Sequence, residues 1–324
     1  MIGLLGDVML GRSVAGRLAE VAPEELWAPE VREVCASCDL VVCNLECCIS
    51  DRGAPTGRVR GKPFFFRGPP DAVRSLEAIG VGAVGLANNH ALDYETEALV
   101  DTLEHLDGDG IAVAGAGRDL HAARKPAIIE FAGTTVGLVA VTDHPSEFAA
   151  GEREPGVAHA DLGAELPDWL VAEVARAREE CDWLIAFPHW GPNMTTEPAR
   201  WQREAAAALQ EAGADLVAGH SAHVFHGVGW GAHGPVVFDL GDALDDYRVD
   251  SDLRNDLGLM AIWRPGDPER ELELMGLELE FCFTRVAEGP AADWIARRLD
   301  RACGELGTTV ERLSVDRFRP RRTG

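Results

Sequence analysis

The sequence predicts an α/β protein in which mixed β-sheets pack face to face and helices lie on the outside. Short apolar runs alternate with longer segments whose apolar residues recur at helical spacing, as in βα units. Neighbouring apolar runs separated by a tight turn indicate β-hairpins, which add antiparallel strands. No linker or internal repeat interrupts this pattern. We therefore expect one domain at 1–265 and a C-terminal extension of strand and helix at 266–324, packed on the same domain.

The predicted strands are short apolar runs bounded by glycine, proline or polar residues. In chain order they are 2–6, 39–43, 81–87, 110–114, 126–131, 134–141, 183–187, 215–218, 235–240, 258–263 and 271–283. The runs 126–131 and 134–141 are separated by Ala132 and Gly133 and form a predicted hairpin. Within 271–283 glutamate alternates with leucine, which indicates a strand with one face in water.

The predicted helices lie between these strands and carry apolar residues three and four positions apart. In chain order they are 13–20, 70–79, 95–106, 167–181, 199–212 and 291–303. Segment 50–62 is rich in glycine, proline and arginine, which predicts a loop, and an arginine-rich tail ends the chain.

The charge of the chain excludes two classes of partner. It has 30 Lys and Arg residues against 54 Asp and Glu residues, a formal net charge of −24. Such an acidic surface repels duplex nucleic acid and anionic lipid, so we expect no nucleic acid and no membrane as general partners. No apolar run approaches the roughly 18 residues of a membrane span. The residues after Met1 lack the length and basic flank of a signal peptide, so we expect a cytoplasmic protein.

The cysteines give little sign of a metal or redox site. Of 8 cysteines, Cys35 and Cys38 form a CxxC pair, but no second pair follows at the spacing of a zinc ribbon. This pattern favours buried free thiols over a redox or metal role.

Several predicted strands end at residues that can bind a metal. These residues are Asp7, Glu46, Asn89, His90, His189, His220 and His223. Each alone has an ordinary explanation, such as a helix cap or a histidine in a turn. Because open α/β sheets bind ligands beyond the carboxyl ends of their strands, the joint placement predicts a shared site. A shell of carboxylate, amide and imidazole suits Mn²⁺, Fe²⁺ or Zn²⁺.

Five motifs follow one another in a fixed order along 1–265. They are Gly-Asp-Val-Met-Leu-Gly-Arg at 6–12, Asn-Leu-Glu at 44–46, Leu-Ala-Asn-Asn-His-Ala-Leu-Asp at 86–93, His-Trp-Gly at 189–191 and Gly-His-Ser-Ala-His-Val at 219–224. Together they resemble the CapA/PgsA family of capsule and poly-γ-glutamate synthesis proteins, a branch of the calcineurin-like metallophosphoesterase superfamily. The resemblance implies a four-layer α/β/β/α sandwich of metallophosphoesterase type, with a dinuclear metal centre at the strand ends.

The resemblance also implies a role for each of these residues. The implied ligands are Asp7 and His223 for one ion, Glu46 as the bridge, and Asn89, His189 and His220 for the other ion. His90 would be the general acid or base beside the ions, and an unperturbed imidazole pKa near neutrality suits that role. Asn88 is expected only to form the turn.

Two positions depart from the usual pattern of the superfamily. Met9 stands where phosphoesterases commonly have the histidine of Asp-x-His, and Glu46 stands where the bridging residue is usually an aspartate. The methionine also resembles the CapA branch itself. The implied cofactor is therefore two divalent ions, or one ion if the site beside Met9 stays empty.

Other side chains near these motifs are candidates for substrate contact. Arg12 and Arg67 can each hold a phosphate or carboxylate in a bidentate fork, or be paired within the structure. Trp190 either forms a wall of the pocket or packs in the core. A charged segment beyond another strand end supplies the remaining candidates, Asp242, Asp246 and Arg254.

Three functions are consistent with these residues. The leading hypothesis is a hydrolase that uses metal-bound hydroxide on a phosphoester or on a γ-glutamyl or peptide-type bond. The second is a metal-dependent peptide epimerase of a natural-product pathway, in which His90 or a neighbour removes and returns an α-proton. The third is a non-catalytic, metal-stabilised component of capsule polymer synthesis. The expected partner is a small-molecule, peptide or polymer substrate.

Overall fold

Strands and helices alternate along most of the chain in the computed structural model, which describes residues 1–131, 133–267 and 271–323. The strands are β1 (Ile2–Val8), β2 (Leu40–Leu45), β3 (Cys48–Ile49), β4 (Arg67–Gly68), β5 (Val81–Gly85), β6 (Ala112–Ala114), β7 (Ala116–Gly117), β8 (Ala127–Phe131), β9 (Thr134–Thr142), β10 (Gly156–Val157), β11 (Trp183–His189), β12 (Leu216–Ala218), β13 (Val228–Trp230), β14 (Pro235–Val237), β15 (Asp242–Leu244), β16 (Leu257–Trp263), β17 (Leu272–Glu280), β18 (Phe283–Val286), β19 (Thr308–Arg312) and β20 (Arg317–Arg322). The helices are α1 (Arg12–Leu18), α2 (Pro29–Ala36), α3 (Val73–Glu77), α4 (Glu95–Gly108), α5 (Leu120–Arg124), α6 (Asp168–Glu180), α7 (Arg200–Glu211) and α8 (Gly289–Gly304).

The larger sheet combines a parallel half with an antiparallel half. Its strand order is β19-β20-β17-β16-β1-β2-β5-β6, with β15 beside β1 and β18 beside β17. Strands β1, β2, β5 and β6 are parallel, and β15 also runs parallel to β1. Strands β16, β17, β20 and β19 continue the sheet in antiparallel pairs. Every residue of β1, β2 and β16 is buried, as expected of strands covered on both faces.

The smaller sheet is also mixed. Its order is β13-β14-β12-β11-β9-β8, and β9, β11, β12 and β14 are parallel. Strands β8 and β9 pair in antiparallel register, which confirms the predicted hairpin. Ala132, predicted to lie in the turn, is outside the described residues. The pairs β3 with β4 and β7 with β10 form two further short sheets.

The two large sheets share one apolar core. A Cβ on Gly85 of β5 would lie 2.8 Å from Cδ1 of Phe187 of β11, so glycine permits the sheets to approach closely. Alternate residues of β9 and β11 face opposite sides. Leu138 and Phe187 thus face the shared core, whereas α6 and α7 pack on the opposite side through Leu170 and Leu209. The predicted α/β class with mixed sheets is confirmed, and the four-layer metallophosphoesterase sandwich stays a prediction.

The C-terminal part corrects two predictions. The single strand predicted at 271–283 is the antiparallel pair β17 and β18, because the chain reverses at Phe281 and Cys282, where Cys282 has a φ of 61°. The arginine-rich tail forms the hairpin of β19 and β20, whose charged residues gave no strand signal. Strand β17 pairs with β16 and so joins the extension to the larger sheet. The division at residue 265 stays a prediction.

Two smaller expectations can be compared with the structure. Among the described residues, no helix is both long and apolar enough to cross a membrane. All eight cysteines are free, and six of them are buried, as predicted. Burial raises the pKa of the Cys35 thiol to about 12. That thiol therefore stays protonated and unreactive near neutral pH.

Candidate metal centre

Asp7, near the carboxyl end of β1, is at the middle of the candidate site. Strands β2 and β15 both run parallel to β1, and their registers place Asn44 and Asp242 directly beside Asp7. The smaller sheet contributes its own strand end, because β11 ends at His189 and a single bridge pairs His189 with His220. The carboxyl ends of strands from both sheets therefore meet at one place, as the sequence predicted.

One group of side chains that could hold a metal ion consists of Asp7, His189 and His220. All three residues are buried, and their ligand atoms lie within 4.8 Å of one another. The two histidine Nδ1 atoms are 2.9 Å apart, and Nδ1 of His220 is 3.3 Å from Oδ1 of Asp7. A carboxylate with two imidazoles is a donor set that suits a first-row divalent ion.

A second group shares Asp7 with the first and adds Glu46, His223 and Asp242. Nδ1 of His223 lies 2.8 Å from Asp242 Oδ1, 3.4 Å from Asp7 Oδ2 and 3.9 Å from Glu46 Oε2. Asp7 therefore belongs to both groups, whereas Glu46, the predicted bridge, belongs to one. Asp242, predicted to contact substrate, lies among these candidate donors because β15 runs beside β1.

The second group does not depend on Met9, the residue in place of the usual histidine. The Met9 side chain is buried, and its Sδ accepts a hydrogen bond of 3.0 Å from the backbone N–H of Gly11. Asp242 supplies a fourth donor that the sequence did not assign to this group. The site expected to be weak therefore has as many candidate donors as a small metal site needs.

Among the residues predicted to bind metal or grouped with them, four buried atoms of ligand type have no hydrogen-bond partner in the described part of the chain. They are Oε1 of Glu46, Oδ1 of Asn89, Nε2 of His220 and Oδ2 of Asp242. Buried polar atoms are nearly always paired, because leaving one unpaired costs about 1–3 kcal/mol. Divalent ions would satisfy such atoms, so the residues present fit the implied metal.

Burial and close pairing set the charges in the site. Burial acts to raise the pKa of Asp7, but contacts with His220 and His223 outweigh it and hold that pKa well below its ordinary value. Burial acts to lower the pKa of His223, but Asp242 and Glu46 outweigh it and raise that pKa well above the ordinary value. Burial and then the charge of Asp7 raise the pKa of Glu46 well above its ordinary value. Metal binding at these donors would therefore release protons.

His90 is supported by a buried carboxylate and a lysine. Its Nδ1 lies 2.5 Å from Oδ2 of Asp93 and 3.5 Å from Nζ of Lys62. Asp93 also accepts a hydrogen bond of 2.7 Å from the backbone N–H of Phe66, and the Phe66 ring stacks on the imidazole at 3.9 Å between centroids. Burial, followed by the charge of Lys62, holds the pKa of His90 well below its ordinary value. The imidazole is therefore neutral near pH 7 and able to accept a proton.

Asp93 and Lys62 are functional candidates that the sequence did not identify. Lys62 Nζ is 3.1 Å from Oδ1 of Asp93 and donates a hydrogen bond of 2.7 Å to the backbone carbonyl of Asn89. Burial raises the pKa of Asp93 to about 7, against the opposing charge of Lys62. The three-residue spacing from His90 to Asp93 was a usable signal. Lys62 precedes His90 by 28 positions in a loop, where no pattern could place it.

A chain of buried amides connects Asp7 to His90. Asn44 donates from Nδ2 to Asp7 Oδ1 at 2.7 Å, and Asn88 donates from Nδ2 to Asn44 Oδ1 at 3.0 Å. The Asn88 side-chain oxygen then accepts the backbone N–H of His90 at 3.0 Å. Asn88 is therefore more than a turn former, because it fixes the corner that carries Asn89 and His90 relative to the metal-binding carboxylate.

Comparison with known proteins identifies the family. The family described as "Bacterial capsule synthesis protein PGA_cap" matches residues 1–247. The chain belongs to the CapA family. It is 30% identical over 286 residues to a probable polyglutamine synthesis accessory protein of Mycobacterium tuberculosis, covering 84% of this chain and 74% of that protein. The resemblance to the CapA/PgsA family noted from the sequence motifs is confirmed.

Other comparisons are more distant. The CapA-family chain is 28% identical over 222 residues to the PGA biosynthesis protein CapA of Bacillus subtilis, covering 68% of this chain and 56% of that protein. Among solved structures, a hypothetical protein from Thermus thermophilus aligns with 15% identity and a TM-score of 0.45, over 89% of this chain and 99% of that one. We draw no conclusion from that structural likeness.

The three arginines predicted to contact substrate differ in what holds them in this CapA-family protein. Arg67 donates to two backbone carbonyls in the loop before it, at 2.9 and 3.3 Å. Arg254 makes two hydrogen bonds to Asp256, at 2.7 and 2.8 Å. Contact of either with substrate stays a prediction. Arg12 lies beside Asp246, another predicted contact residue, with its Nη2 3.4 Å from the carboxylate.

Trp190 is a core residue, which decides between its two predicted alternatives and corrects the expected contact with substrate. It is fully buried, its Nε1 donates a hydrogen bond of 2.9 Å to the backbone carbonyl of Phe238, and its ring meets that of Trp201 edge to face. Trp190 follows directly after β11, and successive side chains of an extended chain point to opposite faces. His189 therefore faces the site, and Trp190 packs in the core beneath α7.

Replacing Trp190 with phenylalanine should reduce stability without affecting metal binding. The change removes one buried hydrogen bond and part of a buried ring, which should lower the free energy of unfolding by about 1–3 kcal/mol. Urea unfolding of the metal-free protein measures this loss, and elemental analysis measures metal content. Unchanged stability together with lost metal would place Trp190 in the site after all.

Proposed function

We propose that this CapA-family protein is a divalent-metal-dependent hydrolase built on the four-layer sandwich of metallophosphoesterase type. The observation that supports it best is the Asp7 carboxylate, which belongs to two buried groups of metal-binding side chains. A shared carboxylate can hold two ions close together, which is the arrangement of two-metal hydrolases. The proposed substrate contains a phosphoester or a γ-glutamyl or peptide-type bond.

Two groups of side chains would hold the ions. When bound, the ions would lower the pKa of a water molecule and polarise a substrate oxygen. The candidate ligands are Asp7, His189 and His220 in one group and Asp7, Glu46, His223 and Asp242 in the other, with Oδ1 of Asn89 as a further donor. Asn44 and the backbone N–H of Ser221 orient the Asp7 carboxylate from outside, the latter at 3.2 Å.

His90 would transfer a proton beside the ions. Because Asp93 holds Nδ1, the Nε2 atom is left to exchange a proton with the substrate or leaving group. Asp93 also fixes the tautomer and the orientation of the ring. Phe66, stacked on the imidazole, covers one face of the ring against water.

The names of the relatives support a substrate class and a second candidate function. The Bacillus subtilis relative is named for PGA biosynthesis and the Mycobacterium tuberculosis relative for polyglutamine synthesis. These names favour a γ-glutamyl bond over a phosphoester. The word "accessory" in the second name favours the other candidate, a non-catalytic component of polymer synthesis in which bound metal only stabilises the fold.

The proposal is tested with protein stripped by a chelator and then reloaded with Mn²⁺ or Zn²⁺. The reloaded protein should release nitroaniline from a γ-glutamyl nitroanilide, or nitrophenol from a nitrophenyl phosphate, and the stripped protein should release neither. Full turnover by stripped protein would contradict a metal-dependent hydrolase. A parallel incubation of glutamyl peptides in deuterated water separates the alternatives. Deuterium at the α-carbon without hydrolysis indicates the epimerase, and metal binding with no reaction indicates the non-catalytic component.

A further inference from the structure

Three arginines are predicted to contact substrate, and Arg12 is the one whose guanidinium is least engaged by the described residues. Within the described residues, its guanidinium donates no hydrogen bond, and its ion pair with Asp246 is 3.4 Å long. Arg67 and Arg254, by contrast, are hydrogen-bonded to other parts of the chain. The Arg12 side chain is 38% exposed, so an anion from solvent can reach it.

Three aromatic rings frame this guanidinium. The Arg12 Cζ atom lies 5.6 Å from the ring centroids of Phe64 and Phe66 and 6.0 Å from that of Tyr247. Contacts of this kind orient a guanidinium over the ring faces and leave its N–H groups free to donate. Phe64 is 56% exposed, which places an apolar ring at the rim where a bound molecule would cover it.

The same rings connect Arg12 to the candidate metal centre. Phe66 stacks on His90 at 3.9 Å between centroids. The Tyr247 ring lies 5.2 Å from that of His223, and its hydroxyl is 3.4 Å from Oε2 of Glu46. The Phe66 ring therefore lies between Arg12 and His90, the proposed proton carrier. The Tyr247 ring lies between Arg12 and the group that contains Glu46 and His223. Arg12 therefore lies beside the candidate metal centre.

The backbone holds Arg12 in a specific position. Its φ of 51° is uncommon for a residue other than glycine. The buried carboxylate of Asp246 accepts the backbone N–H of Ser13 at 2.9 Å through one oxygen and faces Arg12 with the other. One carboxylate thus fixes both the start of α1 and the arginine side chain.

The surrounding charges limit which anion fits. Asp246 already offsets part of the Arg12 charge. Repulsion from the Asp246 carboxylate rises with the charge of the incoming group, so a singly charged anion is favoured over a doubly charged phosphate. A planar carboxylate also matches the fork of the guanidinium in a bidentate contact.

We propose that Arg12, framed by Phe64, Phe66 and Tyr247, forms a subsite for a carboxylate that lies next to the reacting bond of the substrate. The position of the reacting bond rests on the proposed hydrolase function. Binding of the carboxylate can be measured without turnover, so the two proposals can fail separately.

The test uses two non-hydrolysable ligands that differ in one group, a γ-glutamyl anilide whose amide N–H is replaced by CH₂, with a free α-carboxylate, and the same molecule with an α-carboxamide. Hydrolysis is followed separately on the two parent anilides. Calorimetric titration of the Mn²⁺-loaded wild type should give about 10-fold tighter binding of the carboxylate form, a typical gain for a charge-assisted contact. The Arg12→Gln variant should bind the carboxylate and carboxamide ligands with nearly equal affinity. Arg12→Lys keeps the charge but loses the fork, so an intermediate ratio is expected. The control is Arg17→Gln on the same helix, where Arg17 pairs with Glu20, and it should keep the wild-type ratio.

Equal binding of the two ligands by the wild type, or an unchanged ratio in Arg12→Gln, would overturn the subsite. Melting temperatures show whether Arg12→Gln is folded, and Arg12→Lys gives the answer if it is not. A carboxylate preference without hydrolysis of either parent anilide would refute the hydrolase proposal and keep the subsite. Hydrolysis without a carboxylate preference would refute the subsite and keep the hydrolase proposal.

Discussion

Replacing Asp7 with asparagine is expected to remove both bound metal ions and, with them, turnover. Among the described residues, Asp7 is the member common to the two donor groups, and asparagine lacks its negative charge. Changing even the outer partners of metal ligands lowers affinity by about 10–100-fold, so loss of a shared ligand should cost about 100-fold or more. The amide oxygen can still accept the backbone N–H of Ser221, so the fold should persist.

Elemental analysis of protein loaded with Mn²⁺ and then desalted measures this effect. Glu46 belongs to one donor group, so Glu46→Gln should lose the ion of that group and retain the other. Asp39, just before β2, has a side chain that is 52% exposed, and Asp39→Asn should keep the wild-type metal content. Wild-type metal content in Asp7→Asn would refute the shared-carboxylate arrangement, whatever its activity.

The placement of the site could be predicted because it depends on where strands end. Asp7 and His189 lie at the ends of buried apolar runs, and parallel strands bring such ends to one edge of a sheet. The same alternation of strand and helix patterns gave the α/β class and the predicted hairpin of β8 and β9.

The division of ligands between two groups could not be predicted, because it depends on strand register. Asp242 is in β15, which has three residues and is too short to show a hydrophobic pattern. Its register beside Asp7 is set by packing across β1. The sequence therefore places Asp242 among the expected substrate contacts, whereas the bridging role of Glu46 is implied by the family resemblance and stays a prediction.

The support of His90 shows a second limit. Lys62 and Phe66 lie in or next to a loop, and only the folded chain brings them against the imidazole. Trp190 is a different case, because core packing is one of the two alternatives that the sequence offers for it. It directly follows His189, and neighbours in an extended chain face opposite sides, which favours the core.

Replacing His90 with alanine is expected to lower kcat by roughly 10²–10⁴-fold, the usual contribution of a positioned acid or base. Metal content should stay at the wild-type level, because His90 is in neither donor group. Asp93 and Lys62 would remain paired with each other in the variant, at 3.1 Å in the present structure, so neither buried charge is left alone. Steady-state kinetics and elemental analysis on the same preparation measure the two effects.

Two further variants separate proton transfer from a structural role. His90→Ala leaves space against the Phe66 ring, so added imidazole should restore part of kcat if the lost function is proton transfer. Asp93→Asn keeps the imidazole but weakens its orientation, so kcat should fall without any rescue by added imidazole. His121→Ala, at an exposed position of α5, should leave kcat unchanged. Retained turnover in His90→Ala, with metal bound, would assign the acid or base to another residue.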